Sequence, residues 1–495
     1  MTFTLNLLSP TGRNPLLLLF LLLACRTGRH DSGQADLETI SIYPDSVLND
    51  VSHHPVGINL DYFMDDDAYL NPKRRTADAL KAMGVKYLRY PGGNKSDFYF
   101  FSKPPYDKSE PTLARTGKGA TGGRGKMLKN NYTEYKYDVL DFDEFIEMCQ
   151  EVGAEPVVVV AADEYLVDYP EGSTWSTKEQ LVRHAVEWVR YANIKKKYDV
   201  KLWMIGNESW HPENKNSTPE IYAQDVVDFS KAMKAVDPTI KIIPNGNREV
   251  FNKAVLTIAA GHIDYLAISN YPVFNYHAGY ATYRDTLQDL MAPVTRALQS
   301  IDQYASPVDG EKLKLIVAEY GPFDWGKKWP FINNMGHALS AFEQTGHQLL
   351  EPNIVFSCFW NTRWINNDSE SYSAFDALDR DGNFNANGYS LMIWGNFLGK
   401  KMIKTTSSLH VRTFASLDPE KKELYIYIMN LSDEIKNIKP EMEGYQIKGV
   451  KESWELVGEN ADDTNPDWRE VKEISKKHIQ AVPATSIRVI KFALK

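Results

Sequence analysis

Hydrophobic residues in the middle of the chain fall into short runs that are separated by longer amphipathic stretches. Short apolar runs are typical of buried strands, and longer stretches with apolar positions every three or four residues are typical of helices that cover a sheet. From about residue 54 the two patterns alternate, which predicts a parallel α/β fold. The predicted strands are Val56–Leu60, Tyr87–Tyr90, Pro156–Ala161, Leu202–Ile205, Ile242–Pro244, Tyr265–Ser269, Leu315–Ala318 and Val355–Phe359.

Eight such strands with helices between them predict a closed (β/α)8 TIM barrel rather than an open sheet. The long segment 94–137 interrupts the alternation and contains the glycine-rich stretch Gly117–Gly125. This stretch lacks the spacing and the Lys-Ser/Thr ending of a phosphate-binding loop. Because the loops that follow barrel strands form the catalytic face, we expect a long active-site loop here. The predicted helices include Lys178–Ile194, Pro219–Val236, Tyr283–Gln303 and Asn333–Gln344.

After about residue 401 the pattern changes to alternating apolar and polar positions, which is typical of half-buried strands. This change predicts a catalytic barrel at 51–400 and an all-β sandwich domain at 401–495. Glu38–Tyr43 has the same alternation, so we expect the segment 37–50 to add a strand to that sandwich. The predicted C-terminal strands are His410–Ala415, Glu423–Asn430, Trp454–Val457 and Ser486–Phe492.

The N-terminus has the pattern of a targeting segment. Arg13 precedes an apolar run, Pro15–Ala24, that is too short to span a bilayer and fits the core of a signal peptide. The run ends at Cys25 in a Leu-Leu-Ala-Cys sequence that resembles a bacterial lipobox, in which the cysteine is lipidated. We therefore expect a signal peptide with a lipobox at 1–25 and a flexible tether at 26–36. A plain secretory signal that is cleaved nearby is the alternative.

This reading predicts an exported protein, which is an outer-membrane or cell-surface lipoprotein or a periplasmic protein. Its only expected contact with a membrane is the lipid anchor at Cys25. The formal net charge of −9 argues against nucleic acid as a partner, because nucleic acid selects basic surfaces. The 11 Trp and 27 Tyr residues include more rings than a core requires, and such rings stack on sugars in carbohydrate clefts.

Cysteine usage argues against both a disulfide framework and a metal site. Cys149 and Cys358 each lie among apolar neighbours, which predicts two buried free thiols. Their spacing is not that of metal ligands. The segment Asp379–Asn383 faintly resembles a calcium loop but lacks the spaced ligands and terminal Glu of an EF-hand, so it is interpreted as a turn. We expect no metal and no cofactor.

Two glutamates close predicted strands. The fourth strand ends in Gly-Asn-Glu at Glu208, and the seventh ends in Glu319. Carboxylates from two strand ends can flank one glycosidic bond, and retention of configuration requires them about 5–5.5 Å apart. A single glutamate at a strand end is as often a solvated rim residue. The pair, placed on the fourth and seventh strands, is the arrangement of a large clan of retaining glycosidases.

Several motifs make the resemblance more specific. Leu88–Asn94, which reads Leu-Arg-Tyr-Pro-Gly-Gly-Asn, closely resembles the second-strand motif of α-L-arabinofuranosidases of glycoside hydrolase family 51. Ile40–Pro44 followed by Pro55–Leu60 resembles the start of the barrel in that family, and Gly206–Glu208 matches its acid/base motif. The predicted C-terminal sandwich also matches. The resemblance covers most of the chain after the targeting segment, although only these short motifs are specific.

The resemblance implies roles for individual residues. It assigns Glu208 as the acid/base and Glu319 as the nucleophile of a retaining hydrolase of oligo- or polysaccharides. It implies that Asn207 hydrogen-bonds the sugar 2-hydroxyl in subsite −1 and that Arg89 lies near Glu319 and helps to keep it ionised. A structural salt bridge is the alternative for Arg89. Carboxylates alone supply the acid, the base and the nucleophile.

Other cleft candidates come from further strand ends and loops. Tyr271 follows the sixth strand, where a tyrosine can hydrogen-bond the nucleophile, and Trp360 follows the eighth, where an indole can form the floor of subsite −1. Further substrate-binding candidates are Asn94, His211, His277 and Trp325. For the candidates in loops, a role as loop anchors is the alternative.

The nucleophile strand departs from the family pattern. Family 51 strands usually read Asp-Glu-Trp, whereas Ala318–Gly321 reads Ala-Glu-Tyr-Gly. That ending is more like other members of the clan, including xylosidases and glucuronidases (families 39 and 79) and the β-agarases and porphyranases of family 86. An endo-acting agarase or porphyranase is therefore the alternative to an arabinofuranosidase. A non-catalytic surface glycan-binding lipoprotein would predict loss of one glutamate, and both are present.

Overall fold

The computed structural model describes residues 37–495 except 63, 103–105, 112–127, 130–133, 136–138, 164, 166–175, 212–216, 273–278, 324–328, 331, 364–375, 443 and 473–479. The strands in chain order are β1 (Leu37–Asp50), β2 (Val56–Asn59), β3 (Tyr87–Tyr90), β4 (Leu128–Lys129), β5 (Glu134–Tyr135), β6 (Glu155–Val160), β7 (Leu202–Ile205), β8 (Lys241–Pro244), β9 (Tyr265–Asn270), β10 (Lys314–Tyr320), β11 (Ile354–Phe359), β12 (Lys401–Thr405), β13 (Val411–Asp418), β14 (Glu423–Asn430), β15 (Lys436–Met442), β16 (Ile447–Val457), β17 (Asp467–Glu470), β18 (Gln480–Val482) and β19 (Ser486–Leu494).

The helices alternate with the barrel strands. Pro219–Val236 forms one helix as predicted, with Thr218 as its N-cap. The α-helices are α1 (Asp67–Leu70), α2 (Thr76–Met83), α3 (Phe142–Val152), α4 (Lys178–Val189), α5 (Pro219–Val236), α6 (Glu249–Ile258), α7 (Tyr280–Asp285), α8 (Ala292–Tyr304), α9 (Pro307–Gly310), α10 (Met335–Leu350) and α11 (Ala386–Asn396). A π-helix covers Arg190–Lys195, and 3-10 helices cover Asn94–Phe98 and Ala260–His262.

Eight parallel strands form the barrel in the order β8-β7-β6-β3-β2-β11-β10-β9. The two end strands meet through a parallel bridge between Asn245 and Ala267, and the Gly246 N–H donates to the Ala267 carbonyl at 2.8 Å. The fold class predicted from the apolar runs, a (β/α)8 barrel followed by an all-β part, is therefore confirmed, and each predicted barrel strand corresponds to one of the eight.

Alternate residues of the barrel strands face opposite sides, as the period of two in a strand requires. Val157 and Val159 point into the barrel, where they pack with Met204 and Ile316, whereas Val158 points outward to the helices. Both faces are buried, so the strands are apolar at nearly every position. The interior core also includes Tyr87, Leu202, Ile243, Ala267, Ala318, Phe356 and Cys358.

The predicted helix Asn333–Gln344 corresponds to α10, which begins at Met335 and continues to Leu350. Two other predicted helices are divided in the structure. Tyr283–Gln303 was predicted as one helix, but the chain forms α7 and α8 instead. Pro293 lies in the first turn of α8, where a missing N–H costs no helical hydrogen bond, so the proline favours a new helix start. The predicted helix Lys178–Ile194 forms α4 and then the π-helix Arg190–Lys195. Within the π-helix the Asn193 side chain bonds both the carbonyl and the N–H of Val200.

The C-terminal strands form one nine-stranded sheet in the order β17-β16-β19-β14-β13-β12-β1-β15-β18. Strand β1, which includes Glu38–Tyr43, pairs antiparallel with β12 and parallel with β15. The sheet folds over itself, because Ile438 of β15 and Val482 of β18 share one core with Ile426 of β14 and Phe492 of β19. This arrangement gives the chain a second hydrophobic core beside the barrel.

Smaller predictions also have structural counterparts. Cys149 and Cys358 are both buried and unpaired. Asp379–Asn383 is a turn, in which the Asp379 carboxylate accepts hydrogen bonds from the backbone and side-chain nitrogens of Asn383 at 2.8 and 2.9 Å. Gly117–Gly125 lies outside the described residues. Across the described ranges, no helix combines the length and the hydropathy that crossing a membrane requires.

Candidate active site

Polar side chains converge where the barrel strands end. Asn59 is the last residue of β2, Arg89 lies near the end of β3, and Glu319 lies near the end of β10. All three face into the barrel. All three are at most 5% exposed. Carboxyl ends of barrel strands form one face of the barrel, so these residues lie together although they are far apart in sequence.

An irregularity in β10 turns Glu319 toward the barrel axis. Ile316 pairs with Ala267 and Val317 with Ile268, but Glu319 pairs with Ser269, so β10 has one more residue than β9 in this interval. Ile316 and Ala318 already face inward. Strict alternation would direct Glu319 outward, and the extra residue restores an inward direction.

Arg89 connects the residues of the site. Its Nη1 donates to Glu319 Oε1 at 3.1 Å and to Asn59 Oδ1 at 2.7 Å, and its Nη2 donates to Asn207 Oδ1 at 2.6 Å. Nε lies 3.2 Å from the sulfur of Met204. Since Arg89 can only donate, its contact fixes Oδ1 of Asn207 as the acceptor and leaves Nδ2 as the donor of that amide.

The charge state of Glu319 results from opposing influences. Burial is the largest and raises the pKa of Glu319 above its ordinary value. The Arg89 guanidinium, a hydrogen bond from Tyr271 and the Lys95 ammonium oppose burial and lower that pKa. Lys95 is itself buried and forms an ion pair with Asp61. The cationic and hydrogen-bonding neighbours therefore favour the carboxylate form in a dry site.

Tyr271 contacts Glu319 and lies within the electrostatic field of both glutamates. Its hydroxyl donates to Glu319 Oε2 at 3.0 Å. Burial, followed by the charges of Glu319 and Glu208, raises the pKa of Tyr271 well above its usual range. The hydroxyl therefore stays protonated and remains a hydrogen-bond donor at neutral pH.

The Trp360 indole lies against Gly93 beside the nucleophile candidate. Trp360 is 4% exposed. A Cβ on Gly93 would lie 2.5 Å from Cη2 of Trp360 and 3.1 Å from Oε1 of Glu319. Because only a residue without a side chain fits there, Gly93 allows the indole and the carboxylate to approach the chain.

Glu208 leaves β7 in an unusual backbone conformation. Gly206 and Glu208 have φ values of +68° and +45°, in the left-handed region that non-glycine residues rarely adopt. The carboxylate accepts a hydrogen bond from the Ser269 hydroxyl at 2.5 Å. Ser269 is also the strand partner of Glu319, so one serine bonds Glu208 through its side chain and is paired with Glu319 along the backbone.

For the remaining predicted site residues, the structure describes fewer contacts or none. The His211 backbone N–H donates to the Glu208 carbonyl at 2.6 Å, and its ring lies edge-on to Trp210. Asn94, the last residue of the second-strand motif, begins a 3-10 helix, and its side chain is not described. His277, Trp325 and Cys25 lie outside the described residues.

Sequence reasoning missed Asn59, Ser269, Asn245 and the Lys95–Asp61 pair. Ser269 and Asn245 are small polar residues at the ends of β9 and β8, and such positions face the cleft. That location was a usable signal, but it does not show which partner each residue bonds. Among the described residues, no group of three or more His, Cys, Asp or Glu side chains could hold a metal ion.

Comparison of the sequence with known proteins gives matches to α-L-arabinofuranosidases. A family model described as the α-L-arabinofuranosidase 1 domain matches residues 79–289. That range contains Arg89, Asn207, Glu208 and Tyr271 and ends before Glu319. Alpha-L-arabinofuranosidase C of Emericella nidulans is 27% identical over 256 residues, which are 48% of this chain and 45% of that protein. The chain spans less than half the length of the curated relatives it matches.

Solved structures match nearly the whole chain. The α-L-arabinofuranosidase of Thermotoga maritima, in its arabinose complex, has a TM-score of 0.65 at 19% identity and covers 92% of this chain and 99% of its own. A family 44 xyloglucanase of Paenibacillus polymyxa, with xyloglucan, has a TM-score of 0.62 at 14% identity. The match covers 92% of this chain and 100% of the xyloglucanase chain. These likenesses show the fold. The chain is thus related in sequence to α-L-arabinofuranosidases and in fold to glycoside hydrolases of family 51.

Proposed function

We propose that this chain is a retaining glycoside hydrolase that releases α-L-arabinofuranosyl units from a polysaccharide, with Glu319 as nucleophile and Glu208 as acid/base. The observation that carries the proposal is the contact of Arg89 with both Glu319 and Asn207, with Tyr271 on the second oxygen of Glu319. Two donors on one buried carboxylate orient it and favour its ionised form against the effect of burial. A nucleophile requires both properties.

The first half of the reaction forms a glycosyl-enzyme. A Glu319 oxygen attacks C1 of the sugar, and a C1–O bond to the carboxylate forms as the glycosidic C1–O bond breaks. Glu208 gives its proton to the leaving oxygen. The low exposure of Glu319, 5%, keeps water from competing for its lone pairs and strengthens its attraction to developing positive charge at C1.

The second half restores the enzyme. Glu208, now ionised, removes a proton from water as the water oxygen attacks C1, and the bond from C1 to Glu319 breaks. Asn207 is oriented for both halves, because Arg89 occupies its Oδ1 and directs its Nδ2 donor to the sugar 2-hydroxyl. Hydrogen bonds to that hydroxyl strengthen in the transition state.

The choice of arabinofuranoside rests on the sequence relatives and on the position of Tyr320. The family model and the curated relatives bear names of α-L-arabinofuranosidases. The agarase or porphyranase alternative depends on the Glu-Tyr-Gly ending of the nucleophile strand. Tyr320 is fully buried and its hydroxyl bonds Thr345 of α10 at 2.9 Å, so this tyrosine faces the barrel wall and offers no contact to a sugar.

Product analysis tests the substrate. The purified protein is incubated with arabinan, arabinoxylan, agarose and porphyran, and the products are sized. Release of arabinose alone supports the proposal. Short oligosaccharides from agarose or porphyran would contradict the arabinofuranosidase assignment and favour the endo-acting alternative, and binding without cleavage of any glycan would favour the non-catalytic one.

Substitution of the glutamates tests the mechanism. Glu319→Gln should abolish turnover of every substrate with the fold intact. Glu208→Ala should lose activity on arabino-oligosaccharides, retain more on 4-nitrophenyl α-L-arabinofuranoside, and gain activity on addition of azide, because an activated leaving group needs no acid and azide needs no base. Loss of both kinds of substrate to the same extent in Glu208→Ala would contradict its role.

A further inference from the structure

Glu208 lies in a short turn with an unfavourable backbone conformation. The turn runs from Ile205, the last residue of β7, to Ser209, and it contains left-handed backbone at Gly206 and Glu208. A non-glycine residue rarely adopts this conformation, because its Cβ comes too close to the following carbonyl oxygen. Such a conformation persists only where the surroundings determine it.

Asn245 spans this turn from outside. This residue follows β8 and is 4% exposed. Its Oδ1 accepts from the Ser209 N–H at 2.8 Å, and its Nδ2 donates to the Ile205 carbonyl at 3.1 Å, so one amide bonds both ends of the turn. The buried hydroxyl of Tyr222 donates to the same carbonyl at 2.7 Å and accepts from the Asn245 backbone N–H at 2.8 Å.

Ser269 bonds the carboxyl group of Glu208. The Ser269 hydroxyl donates to Oε1 at 2.5 Å, while the Ser269 backbone is paired with Glu319 across β9 and β10. A serine hydroxyl both donates and accepts, so it can bond the carboxyl whether protonated or ionised. One residue thus fixes the side chain of the acid/base candidate to the backbone of the nucleophile candidate.

We propose that Ser269 and Asn245 are positioning residues that set where the Glu208 carboxyl stands relative to Glu319. The inference rests on the proposed function. Asn245 fixes the backbone of the turn and Ser269 fixes the carboxyl, so together they hold the proton of Glu208 at the glycosidic oxygen as the C1–O bond breaks. Retention depends on the separation of the two carboxyls, and a displacement of about 1 Å costs on the order of 100-fold in rate.

The test compares two substrates that differ in their demand for acid. Ser269→Ala and Asn245→Ala are assayed on an arabino-oligosaccharide, whose leaving oxygen requires a proton, and on 4-nitrophenyl α-L-arabinofuranoside, whose leaving group requires none. We expect kcat/KM to fall at least about 10-fold further for the oligosaccharide in both variants.

Two control variants separate positioning from general damage. Ser357→Ala removes another buried serine from a barrel strand, on β11. Asn193→Ala removes an amide that bonds the backbone of Val200 at 2.9 and 2.8 Å and so supports the opposite end of the strand that carries Glu208. Both controls should change the two activities by the same factor. Thermal unfolding of all four variants confirms that the compared proteins are folded.

Each outcome decides a different point. Equal losses on the two substrates in Ser269→Ala and Asn245→Ala, with active wild type and inactive Glu319→Gln, would overturn the inference and leave the proposed function intact. Full activity of Glu319→Gln would overturn the proposed function and the inference with it. If only one of the two variants shows the substrate difference, the positioning role holds for that residue and is overturned for the other.

Discussion

Ser269 faces Glu319 directly across β9 and β10, although strict alternation along β10 would turn the Glu319 side chain away from the barrel axis. One extra residue in β10 makes this pairing possible. The nucleophile candidate consequently lies among Arg89, Tyr271 and Trp360. Its strand partner Ser269 bonds the Glu208 carboxylate through the side chain. The geometry of the site therefore depends on a local irregularity of the sheet.

Tyr271→Phe should shift the pH dependence of activity. The Tyr271 hydroxyl stabilises the ionised form of Glu319, so its removal raises the pKa of Glu319 further above the ordinary value. Since attack requires the carboxylate, the acid limb of the kcat/KM profile should move to higher pH. A hydrogen bond to a charged group contributes about 1.5–3 kcal/mol, so kcat/KM at neutral pH should fall roughly 10- to 100-fold.

The control for this measurement is Tyr320→Phe. Tyr320 is the residue next to Glu319, but its hydroxyl bonds Thr345 on α10. This variant should lose stability without a shift in the acid limb. An unchanged acid limb in Tyr271→Phe would show that the Tyr271 hydroxyl does not control the ionisation of Glu319.

Gly93→Ala should inactivate the site with little change in the fold. The new Cβ would lie 2.5 Å from Cη2 of Trp360 and 3.1 Å from Oε1 of Glu319, so either the indole or the carboxylate has to move. We expect kcat/KM to fall by about 100-fold or more. Gly449→Ala is the control, because a Cβ there meets no atom within 4 Å. Wild-type activity in Gly93→Ala would mean that this contact does not define subsite −1.

Asp163→Asn should stabilise the protein at alkaline pH. Burial raises the pKa of Asp163 from 3.8 to about 7, and the neighbouring Ser209 side chain offsets this only in part. Between these two pH values the folded state binds a proton that the unfolded state has lost, so wild-type stability falls as pH rises through the window. Above pH 7 the variant should gain up to about 4 kcal/mol, and below pH 3.8 it should gain nothing.

Urea unfolding at pH 4 and pH 8 measures this difference. Asp143→Asn is a control of opposite sign, because hydrogen bonds from Lys196, Tyr191 and Tyr198 lower the pKa of Asp143. That variant should lose stability at pH 8 rather than gain it. An Asp163→Asn protein that is no more stable than wild type at pH 8 would show that contacts of the carboxylate outweigh the cost of its burial.

We also propose that the protein is exported and anchored by a lipid at Cys25. In a bacterial host, wild-type protein should partition with membranes and incorporate labelled palmitate, whereas Cys25→Ala should do neither. Cys149→Ala is the control, since that thiol is buried on α3 and should not affect partitioning. Palmitate labelling that persists in Cys25→Ala would refute the lipobox interpretation, and secretion of unlabelled wild-type protein would favour the plain signal peptide.

The barrel could be predicted because its strands are buried on both faces and therefore form continuous apolar runs. Val157–Val160 is such a run, and no tertiary knowledge is required to recognise it. The same approach predicted Tyr283–Gln303 as one helix, where the structure has two. The helical spacing of apolar residues continues across the break, although Pro293 favours the start of a new helix there. Patterns that extend over several residues are robust, and boundaries set by single residues are not.

The sequence by itself determined the kind of fold, the two glutamates at strand ends and the arginine in the second-strand motif, since strand ends and short motifs are local properties of the chain. Only the tertiary structure decided that Ser269 bonds Glu208 while it pairs with Glu319, and that Asn245 bonds both ends of the Glu208 turn. These contacts join separate strands, and they depend on register, on one extra residue in β10 and on closure of the barrel. A one-residue change of register reverses the direction of a side chain, so a pattern along one strand cannot specify its partner on the next.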